Sequence, residues 1–273
     1  MEKTNRKAIT KPIIQAAMIL AFFYAVEALL VHLDVFPDYN ILLCVDIILR
    51  ITCGIVSMVL LNNYAKSGES KYPVKKLFTN RIPAKTWLFL IPLILYIVAP
   101  FFKLFTAYLF TTTYIVTLII VIIQQFAVGF FEEATHRGLM MNGLIKNNTG
   151  TVRQRLFTVF AAGAFFGLSH GLNIFFGENP LIQVPSTMLW GMFVAAVYML
   201  SDNLLLVMLL HTLNDSTFRI VDGLFGYDRN ALMCQVIDVA RDVIDYVVLP
   251  VMAVLICFFY DKLKKKKTDE DKN

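Results

Sequence analysis

Long apolar runs recur along this sequence and restrict the chain to folds that can place such runs in lipid. Several hold about 18 residues or more, the length that a helix needs to cross the hydrocarbon core of a bilayer. Hydrophobic residues make up 58% of the chain and charged residues 16%, so it is more apolar and less charged than an average globular protein. The runs lack the alternation of apolar and polar residues that is typical of membrane barrels. The sequence therefore predicts an all-α, polytopic membrane protein.

We expect about eight transmembrane helices in a single membrane domain that covers residues 1–273. Their predicted positions are about 13–33, 41–61, 86–102, 112–144, 156–176, 184–200, 204–221 and 243–260. The sequence shows neither an internal repeat nor a change in composition that would mark a separate soluble domain. The fourth run is longer than one crossing needs at about 1.5 Å per residue, and it continues past a group of charged residues.

The Lys and Arg residues concentrate in alternate connections between the predicted helices. The basic segments are 1–11, 62–85, 145–155 and 262–267, and the segments poor in Lys and Arg are 34–40, 177–183 and 222–242. Because Lys and Arg are enriched in cytoplasmic loops, this pattern predicts that both termini, including the basic and then acidic tail 262–273, are cytoplasmic. The net charge of +5 therefore reflects membrane topology, and we expect no nucleic-acid partner.

Two adjacent carboxylates, Glu132 and Glu133, lie at the end of the apolar part of the fourth run. Carboxylates are costly in lipid unless protein or water surrounds them, and an ionisable residue in a membrane segment is a candidate functional residue. On a helix Glu133 can pair with Arg137, and Glu132 with His136, because residues four apart lie on the same face. The sequence predicts that the Glu133–Arg137 pair holds the helix and its local field in place.

Two further predicted helices carry polar residues at a similar depth. The fifth contains His170, followed by Asn173, and the seventh contains His211 and Asp215 four residues apart. Measured from the predicted cytoplasmic ends, Glu132, His170 and Asp215 lie about 16–22 Å along their helices at the helical rise per residue. We therefore expect these side chains to meet in one hydrated cavity.

These residue types are sufficient for the hydrolysis of a peptide bond. Glu132 is the candidate general base toward water, while His170 would orient that water and later protonate the leaving amine. Asp215 would hold His211 as a donor to the negative charge that develops on the carbonyl oxygen. The same Glu132, His170 and His211 also match a catalytic zinc set, one acid and two imidazoles with an open position for water.

Other polar residues in the predicted spans have a structural interpretation. Glu27, Asp46 and Arg50 are predicted to join helices through hydrogen bonds or an ion pair, since Asp46 and Arg50 are four residues apart. His136 is predicted to be a neighbour of the site rather than a catalyst. Trp190 is predicted to be an interfacial anchor or a packing residue. The four cysteines form no C-x-x-C pair, which favours small core residues over metal or redox roles.

Three motifs resemble those of a known family. They are Glu132-Glu133-x-x-x-Arg137, Phe166-x-x-x-His170 and His211-x-x-x-Asp215. Together they are similar to the signature motifs of the CPBP family, which comprises CAAX-processing endopeptidases and the bacteriocin-processing or self-immunity proteins of the Abi group. The resemblance covers about 130–216. It implies a CAAX-protease-like bundle of eight helices, with a catalytic core at about 112–221 and a site that opens toward the cytoplasm.

The resemblance also implies roles for individual residues. In the eukaryotic branch, the leading Glu of the first motif and the His of the second activate water, which corresponds to Glu132 and His170. The His of the third motif and its partner form the oxyanion site, which corresponds to His211 and Asp215. That branch has Asn where this chain has Asp215, so an orienting role for Asp215 is favoured here. The family has been described both as zinc enzymes and as metal-free glutamate proteases, and we expect no cofactor, with zinc as the alternative.

The resemblance leaves more than one biological role open. As a protease in a bacterial plasma membrane, the chain would cleave a peptide or a membrane-anchored protein near the cytoplasmic side of the bilayer, in peptide processing, bacteriocin maturation or self-immunity. The alternative is a non-proteolytic immunity or regulatory protein that binds a membrane sensor kinase or a bacteriocin receptor. A transporter is a third possibility because acids within membranes also carry protons, although transporters often contain inverted repeats and none is seen here.

Overall fold

A computed structural model describes residues 3–33, 35–36, 38–109, 114–223 and 226–264. The tail predicted at 262–273 lies outside the described residues beyond Lys264.

Helices make up nearly all of this part of the chain. They are α1 (Lys3–His32), α2 (Tyr39–Lys66), α3 (Val74–Thr79), α4 (Thr86–Val98), α5 (Tyr114–Glu133), α6 (Met141–Asn147), α7 (Val152–His170), α8 (Pro180–Ser201), α9 (Leu204–Thr217), α10 (Leu232–Val243) and α11 (Leu249–Lys264). Turns of 3-10 helix extend α4 and α7 over Ala99–Thr106 and Gly171–Phe176. Turns of π-helix at Ala134–Met140, Phe218–Asp222 and Ile244–Val248 join α5 to α6, extend α9 and join α10 to α11. Two short strands, β1 (Ala107–Leu109) and β2 (Gly226–Tyr227), pair antiparallel.

The chain is an all-α, multi-pass membrane protein with eight helical stretches long and apolar enough to span a bilayer, counted over the described residues. These are Ile9–His32, Tyr39–Lys66, Thr86–Thr106, Ile115–Lys146, Val152–Phe176, Pro180–Ser201, Leu204–Asp222 and Leu232–Lys264. The number and order of the predicted spans are confirmed, and most boundaries differ by only a few residues.

The last span differs most from its predicted position. We expected it at about 243–260 after an acidic outer segment, but the helix already begins at Leu232. The segment Leu232–Val243 is amphipathic, with Cys234 and Arg241 buried and Val236 and Val239 exposed. Its polar face packs against the 3-10 extension of α4, where Lys103 lies 2.7 Å from Asp238. The acidic composition of this segment indicated an outer connection, but its charged residues have partners on a neighbouring element and the segment is helical.

The basic connections meet at one end of the bundle, which we call the basic end. Asp202, in the turn between α8 and α9, has a left-handed φ of 49°. Its carboxylate accepts hydrogen bonds from Lys71, Tyr72 and Lys264 at 3.0, 3.1 and 2.5 Å. Burial, and after it the charge of Asp202, raises the pKa of the Tyr72 hydroxyl, which keeps this group a donor. Lys146 donates to a main-chain carbonyl of the linker between α2 and α3. The linker, the turn and the end of α11 are thus bound together.

The other end of the bundle, the far end, carries the β1–β2 pair and the connections between α1 and α2 and between α7 and α8. Lys103 is buried there, with its Nζ 3.1 Å from Asp222 and 3.2 Å from the Tyr227 hydroxyl. A buried charge is tolerated only when it is paired and hydrogen-bonded. Lys103 therefore joins the far ends of α4, α9 and α10.

A close crossing of α7 and α8 positions one wall of the site. A Cβ atom on Gly163 would lie 2.8 Å from the carbonyl oxygen of Met188, and one on Gly167 would lie 2.7 Å from that of Val184. Small residues four apart allow two membrane helices to approach at backbone distance. The crossing brings Phe166 of α7 to a ring-centroid distance of 5.6 Å from Trp190 of α8.

We predict that Gly163→Val destabilises the bundle. The added side chain meets the backbone of α8 as well as a flexible methionine, and overpacking of this kind costs about 1–3 kcal/mol. The thermal unfolding midpoint in detergent should fall, while Phe160→Val, at a position 54% exposed on the same helix, should leave it nearly unchanged. Equal midpoints for the two variants would contradict the close crossing.

Candidate active site

The first motif lies where α5 passes into a π-helical turn in the interior of the bundle. Glu132 and Glu133 end α5, and the turn Ala134–Met140 that follows is buried at all seven positions. A π-helical turn within an α-helix is rare and often occurs at a functional site. Glu133 is fully buried and Glu132 is 7% exposed, so both carboxylates need partners within the protein.

Glu133 has two partners on different helices. Its Oε1 atom accepts a hydrogen bond from Nη1 of Arg137 at 2.9 Å, as expected, and lies 2.7 Å from Nδ1 of His211. The Arg137 guanidinium also donates to the carbonyl oxygen of Gly191 at 3.2 Å and stacks over the ring of Phe166 at 4.4 Å. Glu133 therefore connects the first motif to the third.

The histidines of the second and third motifs direct their Nε2 atoms toward Glu132. His170 donates from Nδ1 to the carbonyl oxygen of Phe166 at 2.9 Å, which leaves its Nε2 3.6 Å from Oε2 of Glu132. The Nε2 atom of His211 lies 3.7 Å from the same oxygen and 3.4 Å from Oδ2 of Asp215. The expected meeting of Glu132, His170, His211 and Asp215 is present in the structure.

The contact that orients His211 is only partly the expected one. We expected Asp215 to hold this ring, and the 3.4 Å separation agrees with that contact. The shorter contact is the one between Nδ1 and Glu133, at 2.7 Å. With Nδ1 bound to Glu133, Nε2 is the ring atom of His211 that faces Glu132.

The expected pairing of the Glu132 and His136 side chains is wrong. Nδ1 of His136 bonds to the main-chain oxygen of Glu132 at 2.8 Å, and Nε2 lies 3.2 Å from the hydroxyl of Ser169. The imidazole reaches back along its own helix, whereas the Glu132 carboxylate points across the bundle toward α7 and α9. Both ring nitrogens of His136 have partners, as a neighbour of the site would.

Sequence reasoning missed the role of Arg50 at the site. Its Nε atom lies 2.8 Å from Asp46 and its Nη2 atom 3.3 Å from Glu27, so the predicted ion pair and helix connection are present. Its Nη1 atom also lies 3.8 Å from Oε1 of Glu132. The i, i+4 spacing of Asp46 and Arg50 indicated a buried cation, but spacing cannot identify a third partner on another helix. Gln124 of α5 completes the network by donating to Asp46 at 2.8 Å.

These side chains surround a cavity of about 830 Å³. Its wall comes mainly from α1, α2, α5, α7, α8 and α9, and includes Glu132, His170, His211, Asp215, Arg50 and Trp190. Trp190 is buried rather than interfacial, and its ring centroid lies 4.7 Å from that of His211. Its indole N–H has no hydrogen-bond partner among the described residues. A cavity of this size with a few convergent polar groups is typical of a binding or active site.

The mouth of this cavity lies at the far end of the bundle. The lining extends from the buried Glu132 to Tyr39 and Glu178, which are exposed beside the connections at that end. His170 lies only six residues before the end of its span at Phe176, about 10 Å along the helix. The expectation that the site opens toward the cytoplasm and the expectation that the basic loops are cytoplasmic therefore cannot both be correct.

The zinc alternative would use Glu132, His170 and His211 as ligands. Within the described residues, no group of three or more His, Cys, Asp or Glu side chains has the geometry to hold a metal ion. Arg50 also places a positive charge 3.8 Å from Oε1 of Glu132. The mechanism proposed below uses these side chains alone, and zinc stays the alternative.

Comparison with known proteins gives one match. The family model described as Rce1-like, type II CAAX prenyl endopeptidase Rce1-like, matches residues 113–217. Residues 113–217 of this chain are therefore similar to a CAAX endopeptidase. The matched segment contains all three motifs and ends two residues after Asp215, whereas Arg50 and the rest of α1 and α2 lie outside it. No curated protein and no solved structure matches the chain.

We predict that Arg50→Gln destabilises the bundle because Asp46, Glu27 and Glu132 lose their shared cation. Removing one partner of a buried ion pair costs about 3–5 kcal/mol, and the partial exposure of the Arg50 and Glu27 side chains places this change near the lower value. The unfolding midpoint in detergent should fall. Asp46→Asn should lower the midpoint in the wild-type chain but raise it in the Arg50→Gln chain, where it removes repulsion.

This double-mutant cycle isolates the network from general damage to the fold. Purely additive effects of Arg50→Gln and Asp46→Asn would contradict a shared ion network.

Proposed function

We propose that the chain is an intramembrane endopeptidase in which Glu132 and His170 activate water and His211 stabilises the oxyanion. The observation that carries this proposal is the position of Oε2 of Glu132, which the Nε2 atoms of His170 and His211 face at 3.6 and 3.7 Å. The similarity of residues 113–217 to a family of proteases supports hydrolysis as the reaction class.

The distances suit a water molecule shared by Glu132 and His170. A separation of 3.6 Å is too long for a good direct hydrogen bond, and a bridging water satisfies polar groups at such a distance. Since Nδ1 of His170 donates to the Phe166 carbonyl, the Nε2 atom of the neutral ring is an acceptor. One water can therefore donate one hydrogen to Glu132 and the other to His170.

Hydrolysis would then follow in two steps. In the first step, the water oxygen attacks the carbonyl carbon of the substrate while Glu132 accepts a proton from that water. The carbonyl oxygen becomes an oxyanion. His170 relays a proton to the amide nitrogen as the carbon–nitrogen bond breaks, which releases an amine and a carboxylic acid. General acid–base catalysis of this kind contributes about 10²–10⁴-fold to rate.

The oxyanion would be stabilised on the α8–α9 side of the cavity. His211 donates from Nδ1 to Glu133, so its Nε2 is a second donor when the ring is the imidazolium, the form that the neighbouring carboxylates of Glu133 and Asp215 favour. Preorganised donors of this kind are often the largest catalytic contribution. The unpartnered indole N–H of Trp190 lines the same cavity and offers a second donor. Arg137 keeps Glu133 in place through its 2.9 Å ion pair.

The proposed substrate is a peptide or membrane-anchored protein in the bilayer, and the proposed setting is peptide processing, bacteriocin maturation or self-immunity in a bacterial plasma membrane. These proposals rest on the resemblance of the three motifs.

We predict that Glu132→Gln and His170→Asn each lower proteolysis by about 10²–10⁴-fold, because each removes one half of the proton-transfer pair. Peptides that differ between cells with wild-type and variant protein should first be identified by mass spectrometry. Cleavage of those peptides by purified protein in liposomes then gives the rate.

The matched control is Glu69→Gln, the same chemical change at an exposed linker position at the basic end. It should retain the wild-type rate. A chelator added to the wild-type protein tests the zinc alternative, and loss of activity that zinc restores would favour it. Unchanged cleavage by a correctly inserted Glu132→Gln protein would exclude the proposed mechanism. If wild-type and Glu132→Gln cells have identical peptide profiles while the variant no longer binds a kinase or receptor partner, the non-proteolytic alternative is favoured.

We also predict that Glu133→Gln lowers kcat more than Asp215→Asn does. Glu133 makes the 2.7 Å contact to His211, whereas Asp215 approaches the ring only to 3.4 Å. A hydrogen bond to a charged group contributes about 1.5–3 kcal/mol, so the two variants should differ by about tenfold or more. Because Glu133→Gln also weakens the ion pair with Arg137, its unfolding midpoint should be measured in parallel. A larger effect of Asp215→Asn would assign the orienting role to Asp215.

A further inference from the structure

We propose that the cavity opens on the extracytoplasmic face of the membrane, so that its substrate is a peptide segment presented from that side. The identity of the substrate as a peptide rests on the proposed endopeptidase function. The side on which the cavity opens rests on the fold and on the distribution of charge alone.

The mouth of the cavity is built from residues at the far end of the bundle. Leu30 and Val31 line it from the last turns of α1, and Tyr39 from the first turn of α2. Phe176 and Glu178 line it from the connection between α7 and α8. None of the described residues of the linker between α2 and α4, or of the connection between α8 and α9, lines it. The route from bulk water to Glu132 therefore starts at the far end.

An apolar layer closes the opposite side of the site. Leu61, Leu139, Leu200 and Leu204 are fully buried between the motif residues and the basic end, in one continuous hydrophobic core. The packing is tight, since a Cβ atom on Gly138 would lie 3.3 Å from Leu61 and 3.5 Å from Leu204. Protein interiors packed in this way contain few voids large enough for water. A peptide has no path to Glu132 from the basic end in this structure.

The distribution of Lys and Arg assigns the basic end to the cytoplasm. The residues at or next to its connections are Lys66, Lys71, Lys75, Lys76, Arg81, Lys85, Lys146, Arg153, Arg155, Lys262 and Lys264. The segments 33–38 and 177–179 at the far end contain neither Lys nor Arg, and 223–231 contains only Arg229. These connections are short enough to follow the rule that positive residues stay inside. Lys103, bound by Asp222 and Asp238 at the far end, is a single residue against the many Lys and Arg residues at the basic end.

The two observations together select the class of substrate. A cavity that opens away from the cytoplasm cannot receive the cytoplasmic end of a membrane-anchored protein, but it can receive a segment of an exported peptide or the outer flank of a membrane protein. The mouth combines the apolar Leu30, Val31 and Phe176 with Tyr39 and Glu178, which suits an extended chain with mixed side chains. An extended peptide rises about 3.3 Å per residue, so a few residues connect the mouth with the histidines.

Cysteine labelling in intact cells tests this orientation. The starting variant is Cys44→Ser, because Cys44 is exposed whereas Cys53, Cys234 and Cys257 are buried. Two matched variants then place one cysteine at each end, Glu178→Cys at the mouth and Glu69→Cys in the linker of the basic end, and both positions are exposed. A membrane-impermeant maleimide should label Glu178→Cys in intact cells and Glu69→Cys only in inside-out vesicles. The reverse pattern would overturn the proposal.

A third variant tests the cavity itself. Val128 lines the cavity on α5 and is 7% exposed, so Val128→Cys places a thiol inside it. A small impermeant methanethiosulfonate reagent should label this variant from outside intact cells, and labelling only from the cytoplasmic face would overturn the proposal. Labelling does not require catalysis and should be unchanged when Glu132→Gln is added. An inactive protein labelled from outside would therefore contradict the endopeptidase function while leaving the orientation intact.

Discussion

Two adjacent carboxylates inside a membrane-spanning segment are the constraint on which the rest of this site depends. An unpaired buried charge costs several kcal/mol, and each carboxylate has its own arginine. Glu133 pairs at 2.9 Å with Arg137 of its own helix, while Glu132 has Arg50 of α2 at 3.8 Å. The Glu133–Arg137 pair has a structural part in the site. The longer contact between Arg50 and Glu132 leaves one oxygen of Glu132 facing the two histidines. Adjacent residues thereby reach different environments.

This constraint explains why the site extends beyond the matched segment at 113–217. Arg50, whose side chain is 11% exposed, also binds Asp46 of its own helix and Glu27 of α1. The second helix therefore supplies charge compensation to a carboxylate of the fourth span, and α1 and α2 both form part of the cavity wall and mouth. Helices α1 and α2 carry no motif, but they complete the site around the motif residues.

Prediction from the sequence succeeded for features that depend on local composition and periodicity. Span positions follow from apolar runs, because a helix satisfies its own backbone in lipid, and the Glu133–Arg137 pair follows from helical spacing. It failed where two positions far apart in the chain meet. The contact of Arg50 with Glu132 and that of Glu133 with His211 join residues 82 and 78 positions apart in the numbering. Leu232–Val243 was missed as a helix because its charged residues find partners on other elements.

The sequence by itself determined that the chain is a membrane-spanning helical bundle, that three helices carry the chemistry, and which family motifs they resemble, because these properties reside in the order and spacing of residues along each helix. Only the tertiary structure decided which nitrogen of each histidine faces Glu132, which cation accompanies that carboxylate, and at which end the cavity opens. The physical reason is that the sequence of one helix does not by itself fix which of its faces turns toward the cavity. Only packing against neighbouring helices decides which face lines the cavity and which end of the cavity is closed by leucine side chains.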